Sequence, residues 1–207
     1  MRLSIVVVCF LSFCATTSAE DVNLCRSYVV HTQKKEFRMN GELTDIAERP
    51  GELILGGDNT VLAINGDGLV LWTVHPALKT RFIEYKRKIY FTGIDYIGKN
   101  ISIGIIEKGK VTLTKKVGIT ELNRSRSAYV NDIWIEHNYE KKAVRVTVEV
   151  VMWGGGGPFS EYFASEWKRS DLSQSQKWEK STHCEDAGLA IPRYFKIGEK
   201  IVSIQSE

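Results

Sequence analysis

Three features of this 207-residue sequence predict an all-β fold. Apolar and polar residues alternate strictly over Lys142–Val150. Val144, Val146, Val148 and Val150 point one way and Arg145, Thr147 and Glu149 the other, as in a strand buried on one face. Turn sequences such as Asn65-Gly66-Asp67-Gly68 separate short apolar runs, and Asn-Gly and Asp-Gly supply the positive φ that tight hairpins need. No run of about 11 residues places its apolar side chains at helical spacing. With 43% hydrophobic and 26% charged residues, 17 Gly and 4 Pro, the composition is that of a globular chain, which excludes collagen-like, coiled-coil and largely disordered proteins.

From the N-terminus, Met1–Ala19 reads as a secretory signal peptide. Arg2 gives the positive start, Leu3 to Ala15 is apolar apart from Ser4 and Ser12, and Thr17 and Ala19 are small residues at the cleavage positions. A helix of about 13 residues would span only ~20 Å, short of the ~30 Å a membrane crossing needs. The expectation is a single secreted all-β domain over 20–207, without a membrane span. Asn100-Ile101-Ser102 and Asn123-Arg124-Ser125 are N-glycosylation acceptors, which fits an extracellular destination. Of the four cysteines, Cys9 and Cys14 would leave with the leader. Cys25 and Cys184 would remain as the pair for one disulfide, with unpaired thiols or intermolecular bonds as the alternatives.

Next come two similar strand units. The first holds Glu52–Gly57, Asn59–Ile64, the Asn65–Gly68 turn and Leu69–Val74, in which the unbroken Leu69-Val70-Leu71-Trp72 suggests burial on both faces. The second holds Lys88–Gly93, Asn100–Ile106, the Glu107-Lys108-Gly109 turn and Lys110–Lys115. Their turns lie about 41 residues apart, the spacing of four-stranded propeller blades. A third, longer unit holds Tyr129–Glu136, Lys142–Met152, Ser160–Lys168 and Gln176–Lys180, with its extra length around Trp153–Pro158. Ser27–His31 and Glu36–Met39 at one end, and Ile191–Ile197 and Lys200–Ile204 at the other, are left over.

If these four end segments pair, they make a fourth blade from both chain ends and remove the open sheet edges. A Cys25–Cys184 bridge would lock that closure. The predicted architecture is a small four-bladed β-propeller closed by N- and C-terminal strands, with a lipocalin-type barrel or a β-sandwich as the alternatives. The stretch Leu55–Trp72 (LGGDNTVLAINGDGLVLW) resembles one repeat of the quinoprotein-like (PQQ-repeat) β-propellers, and Trp178 would take the blade position of Trp72. The likeness covers about 20 residues and implies architecture. Quinoprotein enzymes also carry a vicinal Cys-Cys pair beside their cofactor, and this chain has no adjacent cysteines, so neither the cofactor nor the activity is implied.

Few residues suggest chemistry. His31, His75, His137 and His183 are scattered, with no metal-ligand spacing, so no metal site is expected. Gly154–Gly157 lacks the Lys-Ser/Thr of a phosphate loop, and no Gly-x-Ser-x-Gly elbow occurs. Asp132 and Glu136 would lie ~13 Å apart along one strand face, too far for a retaining glycosidase pair. No catalytic residue, cofactor or metal ligand is therefore assigned.

A net charge of +3 without a long basic block argues against a dedicated nucleic-acid binder. Basic groups at Lys34-Lys35, Lys86-Arg87-Lys88, Lys115-Lys116 and Lys141-Lys142 read as solvated edges, or as an acidic-glycan surface if they cluster. The candidate binding loop runs from Met152 to Phe159, with Trp153 and Phe159 as anchors on either side of the glycines, or as the ends of core strands. The expected function is that of a secreted extracellular binding protein for a protein or glycan partner. The alternative is a secreted barrel carrier of a small apolar ligand.

Overall fold

The computed structural model describes residues 27–31, 36–40, 43–122, 127–181, 194–197 and 199–206. The expected leader 1–19, Cys25, Asn123, His183 and Cys184 lie outside them. In chain order the strands are β1 (Ser27–His31), β2 (Glu36–Asn40), β3 (Asp45–Arg49), β4 (Glu52–Gly56), β5 (Val61–Ile64), β6 (Val70–Val74), β7 (Leu78–Tyr85) and β8 (Lys88–Ile94). They continue with β9 (Asn100–Glu107), β10 (Lys110–Gly118), β11 (Tyr129–Asn138), β12 (Ala143–Gly154), β13 (Gly157–Lys168), β14 (Gln174–Ser181), β15 (Tyr194–Ile197) and β16 (Lys200–Ser206). Among the described residues the one helical piece is a 3-10 turn, Ile119–Glu121.

The strands form four antiparallel sheets of four strands each. The first has the order β15-β16-β1-β2 and so joins the two ends of the chain, with Val30 opposite Ile204. The other three are built from consecutive strands: β3 to β6, β7 to β10 and β11 to β14.

Side-chain alternation divides the core into three layers. Leu53 and Leu55 of β4, with Leu62 and Ile64 of β5, pack on Val30, Phe195, Ile197, Val202 and Ile204 of the first sheet. Their neighbours Ile54, Val61 and Ala63 face the other way, onto Phe82, Ile89, Phe91 and Ile106 of the third sheet. Tyr90, Ile101, Ile103 and Ile105 of the third sheet then meet Val144, Val146, Val148 and Val150 of the fourth. The second and third sheets thus carry apolar side chains on both faces, which explains the unbroken apolar runs of β4 and β5. The fourth sheet is apolar on one face, hence the strict alternation of β12. Each fully buried aliphatic side chain contributes roughly 1.5–3 kcal/mol.

The first strands of successive sheets lie side by side: β15 against β3, β3 against β7 and β7 against β11. Polar contacts join them. Thr44 Oγ1 donates to the Thr80 carbonyl at 2.8 Å, and the Phe82 amide donates to Asp45 Oδ2 at 3.0 Å. Arg49 bridges Glu52 at 3.1 Å and Glu84 of β7 at 3.4 Å. The fourth strands β6, β10 and β14 are outer edges with largely exposed side chains.

Several expectations are corrected. Each sheet keeps two edge strands and none closes on itself, so the lipocalin-type barrel is overturned. The β-sandwich fails as well, because the second and third sheets need a neighbour on each face and two sheets cannot supply that. β6 is not buried on both faces: Leu69, Val70 and Leu71 are about half exposed, because this strand ends its sheet. β3 and β7 have no counterpart in the sequence reading. In β7 a register shift between Leu78 and Arg81, with Lys79 at φ 45°, breaks the alternation that would mark a strand. Trp72 and Trp178 both sit on fourth strands, but Trp72 packs against the layer between the second and third sheets and Trp178 against the next layer. They therefore face opposite ways within their sheets.

Candidate functional site

One end of the sheets is aromatic. The β12–β13 hairpin keeps an unbroken register from Ala143 opposite Lys168 to Gly154 opposite Gly157, and each strand runs 12 residues. Its tip exposes both sequence-predicted anchors, Trp153 at 62% and Phe159 at 48%. They are not the ends of core strands, but they do not form one patch either. Phe159 lies opposite Met152, on the face turned toward the third sheet, whereas Trp153 shares the other face with Val151 and Glu149. A Cβ at Gly154 would stand 3.0 Å from the Phe159 ring, so the bare glycine lets that ring lie across the tip. Gly157, at φ +116°, holds a conformation that few side chains tolerate.

The β8–β9 turn joins this end. Tyr96 is 92% and Ile97 64% exposed, two large apolar side chains side by side in one turn. The turn is fastened to the fourth sheet, because the Val130 amide donates to the Gly98 carbonyl at 2.9 Å. Val130 is paired with Val150, about 10 Å along the strand from Trp153. Within the turn, Asp95 Oδ1 accepts from the Lys99 amide at 2.7 Å and Oδ2 from Asn100 Nδ2 at 2.6 Å. Burial alone would raise the Asp95 carboxyl, but these hydrogen bonds hold it below its usual value. Asn100, the described glycosylation acceptor, is exposed at the start of β9. An N-linked sugar would leave its amide one N–H, enough to keep the bond to Asp95. Tyr96 and Ile97 were missed at the sequence level; the signal was two large apolar residues between Asp95 and Gly98, where a turn should be polar.

A second feature lies on the outward face of the fourth sheet. Lys141, Arg145, Glu166, Gln176, Glu179 and Ser181 help line a shallow polar cleft of about 240 Å³, below the usual range for small-molecule sites. Its charges are engaged with one another. Lys141 Nζ meets Glu166 Oε2 at 3.0 Å, Arg145 Nε meets Glu136 at 3.5 Å, and Arg145 Nη2 donates to Ser181 Oγ at 3.2 Å. Trp134 and Tyr162, with ring centroids 6.2 Å apart, lie on the same face, opposite Thr147 and Glu149 respectively. The cleft, whose lining also includes Lys180, offers hydrogen bonds to a polar ligand from three cations and two carboxylates.

The opposite end of the sheets is basic. Here the β7–β8, β11–β12 and β13–β14 turns converge. The Arg169 amide donates to the Lys142 carbonyl at 3.3 Å, and Tyr90 OH donates to the Arg169 carbonyl at 3.2 Å. The Arg169 guanidinium is buried, with its carbon 4.1 Å from the Tyr85 ring centre and 5.7 Å from that of Tyr139. His137 stacks at a tilt between the same two tyrosines, and its Nε2 lies 3.2 Å from the Glu84 carbonyl. Burial, and secondarily the Arg169 charge, pull the His137 pKa below 6.5 against the opposing pull of the Glu84 carbonyl. The basic groups Lys86-Arg87-Lys88 and Lys141-Lys142, distant in sequence, are thereby brought to one end. Arg169 gave no sequence signal, since an arginine beside a turn reads as solvated.

Among the described residues no group of three or more His, Cys, Asp or Glu could hold a metal ion, and no helix is long and apolar enough to cross a membrane. His75 sits apart, its Nδ1 3.0 Å from Thr60 Oγ1.

No family model matches the chain, and no curated protein matches it. Among solved structures, a protein of unknown function from Bacteroides caccae is similar over 73% of this chain and 72% of its own, at 12% identity and a TM-score of 0.33.

Proposed function

We propose that this chain is a secreted binding protein that engages an extracellular protein or glycan through its aromatic end. The observation that carries the reading is the convergence of two separate loops on one end, each presenting large exposed apolar side chains: Trp153 and Phe159 from the hairpin tip, Tyr96 and Ile97 from the β8–β9 turn. Aromatic side chains on a rigid sheet scaffold are the commonest anchors of binding energy. Secretion is supported by the apolar leader Met1–Ala19 and by the acceptor Asn100, exposed beside the same end. The barrel-carrier reading has no closed sheet to hold a cargo.

For the scaffold we propose a four-bladed propeller closed by the chain ends, of the kind the quinoprotein-like resemblance implies. Support comes from the four sheets of four strands, the side-by-side first strands β15, β3, β7 and β11, and the outward fourth strands. Small-angle scattering is the test of shape: a compact disc is expected, and an elongated stack of sheets would overturn it.

The functional test is a screen of the secreted chain against arrayed glycans and extracellular proteins, with the double variant Tyr96→Ser/Trp153→Ala beside it. A hit weakened at least tenfold by the double variant is expected. Partners that bind both proteins equally would overturn the aromatic end as the site.

A further inference from the structure

The basic end holds a group whose hydrogen-bonding capacity is unused. Arg169 is 8% exposed, and its Nη2 donates to the Asn138 carbonyl at 3.0 Å, but its Nε and Nη1 have no acceptor. Beside it, in the same pair of tyrosine walls, His137 Nδ1 is also buried and unpartnered. A guanidinium always carries its charge, and buried polar groups are almost always satisfied, so such donors imply an absent acceptor. Three nearby carboxylates are committed elsewhere: Glu84 to Arg49 and to the Arg87 amide, Glu166 to Lys141 and Asn138, and Asp171 to Ser173.

We propose that the Arg169–His137 cluster is an oxyanion site, taking a sulfate or carboxylate group. Nη2 spends one of its two hydrogens on Asn138, and the other lies beside either the Nε hydrogen or an Nη1 hydrogen, so one edge of the planar fork remains open to grip two oxygens of one anion at once. Because Nε2 donates to the Glu84 carbonyl, His137 Nδ1 adds a third donor only in the protonated ring, a form that a bound anion favours. Lys86, Arg87 and Lys142, all at positive φ in the surrounding turns, add cations at the rim that attract an anion at long range. Tyr85 forms the inner wall. Tyr139, 68% exposed, lies on the solvent side, so the anion reaches the fork by displacing that ring. The site lies at the opposite end from Trp153 and does not depend on the partner proposed there. The same group could arrive as a free ion or as a substituent of an acidic saccharide, and the experiment separates these.

The test uses the full secreted chain labelled with ¹⁵N. Sodium sulfate, and in a second arm a sulfated heparin disaccharide, are titrated at constant ionic strength, with the Arg169 Nε–H and His137 ring signals as readout. Saturable shifts of both signals are expected, and Arg169→Lys, which keeps the charge and loses the fork, should weaken binding at least tenfold. Tighter binding of the disaccharide than of sulfate would identify a saccharide site, and equal binding a site for the free ion. Signals that do not move, or that drift linearly without saturation, mean an adventitious ion only and overturn the proposal. If Arg169→Lys fails to fold, Lys86→Gln/Lys142→Gln replaces it. That pair lies at the rim, and an unchanged sulfate affinity in it would likewise overturn the proposal.

Discussion

Val30 and Ile204 face each other across the first sheet, both almost wholly buried, so the two ends of the chain meet in the core rather than at its surface. Closing a sheet with strands so far apart in sequence carries a large loop-closure entropy cost, offset by the apolar layer shared with the second sheet.

Ile204→Ala should therefore destabilise the whole chain by about 2–5 kcal/mol, as other large-to-small core changes do. Urea unfolding followed by tryptophan fluorescence checks this; a loss under 1 kcal/mol would mean that the closing sheet is not part of the cooperative core.

Cys25 lies two residues before the start of β1 in sequence, and Cys184 lies between β14 and β15, so a bridge between them would restrain both ends of the chain that supply the first sheet. Reduction is expected to cost about 2–4 kcal/mol. Thermal melts of the oxidised and reduced protein, with thiol labelling before and after reduction, measure it. Full labelling without reductant would rule the bridge out.

Gly104 lies directly opposite Phe91, and a Cβ there would stand 2.4 Å from the Phe91 ring and 2.7 Å from the Leu113 carbonyl. Gly104→Ala should cost about 1–3 kcal/mol through overpacking. Adding Phe91→Leu should give a double mutant less destabilised than the two single effects summed, since the pair shares one space. Strict additivity in chemical denaturation would refute the steric account.

The His137 pKa is lower in the folded chain than the 6.5 of the free side chain. Between those values the unfolded chain binds more protons, so stability falls as the pH drops below about 6.5 and levels off beneath the folded pKa. Unfolding midpoints compared at pH 7.5 and pH 5.5 should show a larger drop for the native protein than for His137→Gln. Identical drops would assign the effect to other groups.

Trp153 is mostly exposed, and removing an exposed side chain usually shifts stability by no more than about 0.5 kcal/mol. Trp153→Ala should melt like the native protein, which makes it a clean probe of binding. A marked fall in Tm would show that the ring packs on the hairpin and is not available as an anchor.

The all-β class was legible because period-two alternation and Asn-Gly or Asp-Gly turns act locally, as β12 and Asn65–Gly68 show. The sharing of one sheet by the two chain ends was legible too, since segments at both ends read as strands without a partner of their own. β3 and β7 escaped notice. β3 offers only Ile46 as a large apolar side chain, and the shifted register of β7 places consecutive residues out of phase.

The sequence by itself determined which stretches extend and where they turn, since these follow from neighbours a few residues apart. Which strand became an edge was decided in three dimensions. Leu69–Leu71 looks like core and lies outside because β6 ends its sheet. The gathering of Tyr96 with Trp153, and of Arg169 with His137 and Lys86, likewise arose only when sheets stacked. Adjacency across a packed layer depends on register and facing, and neither is recorded in any short segment of the chain.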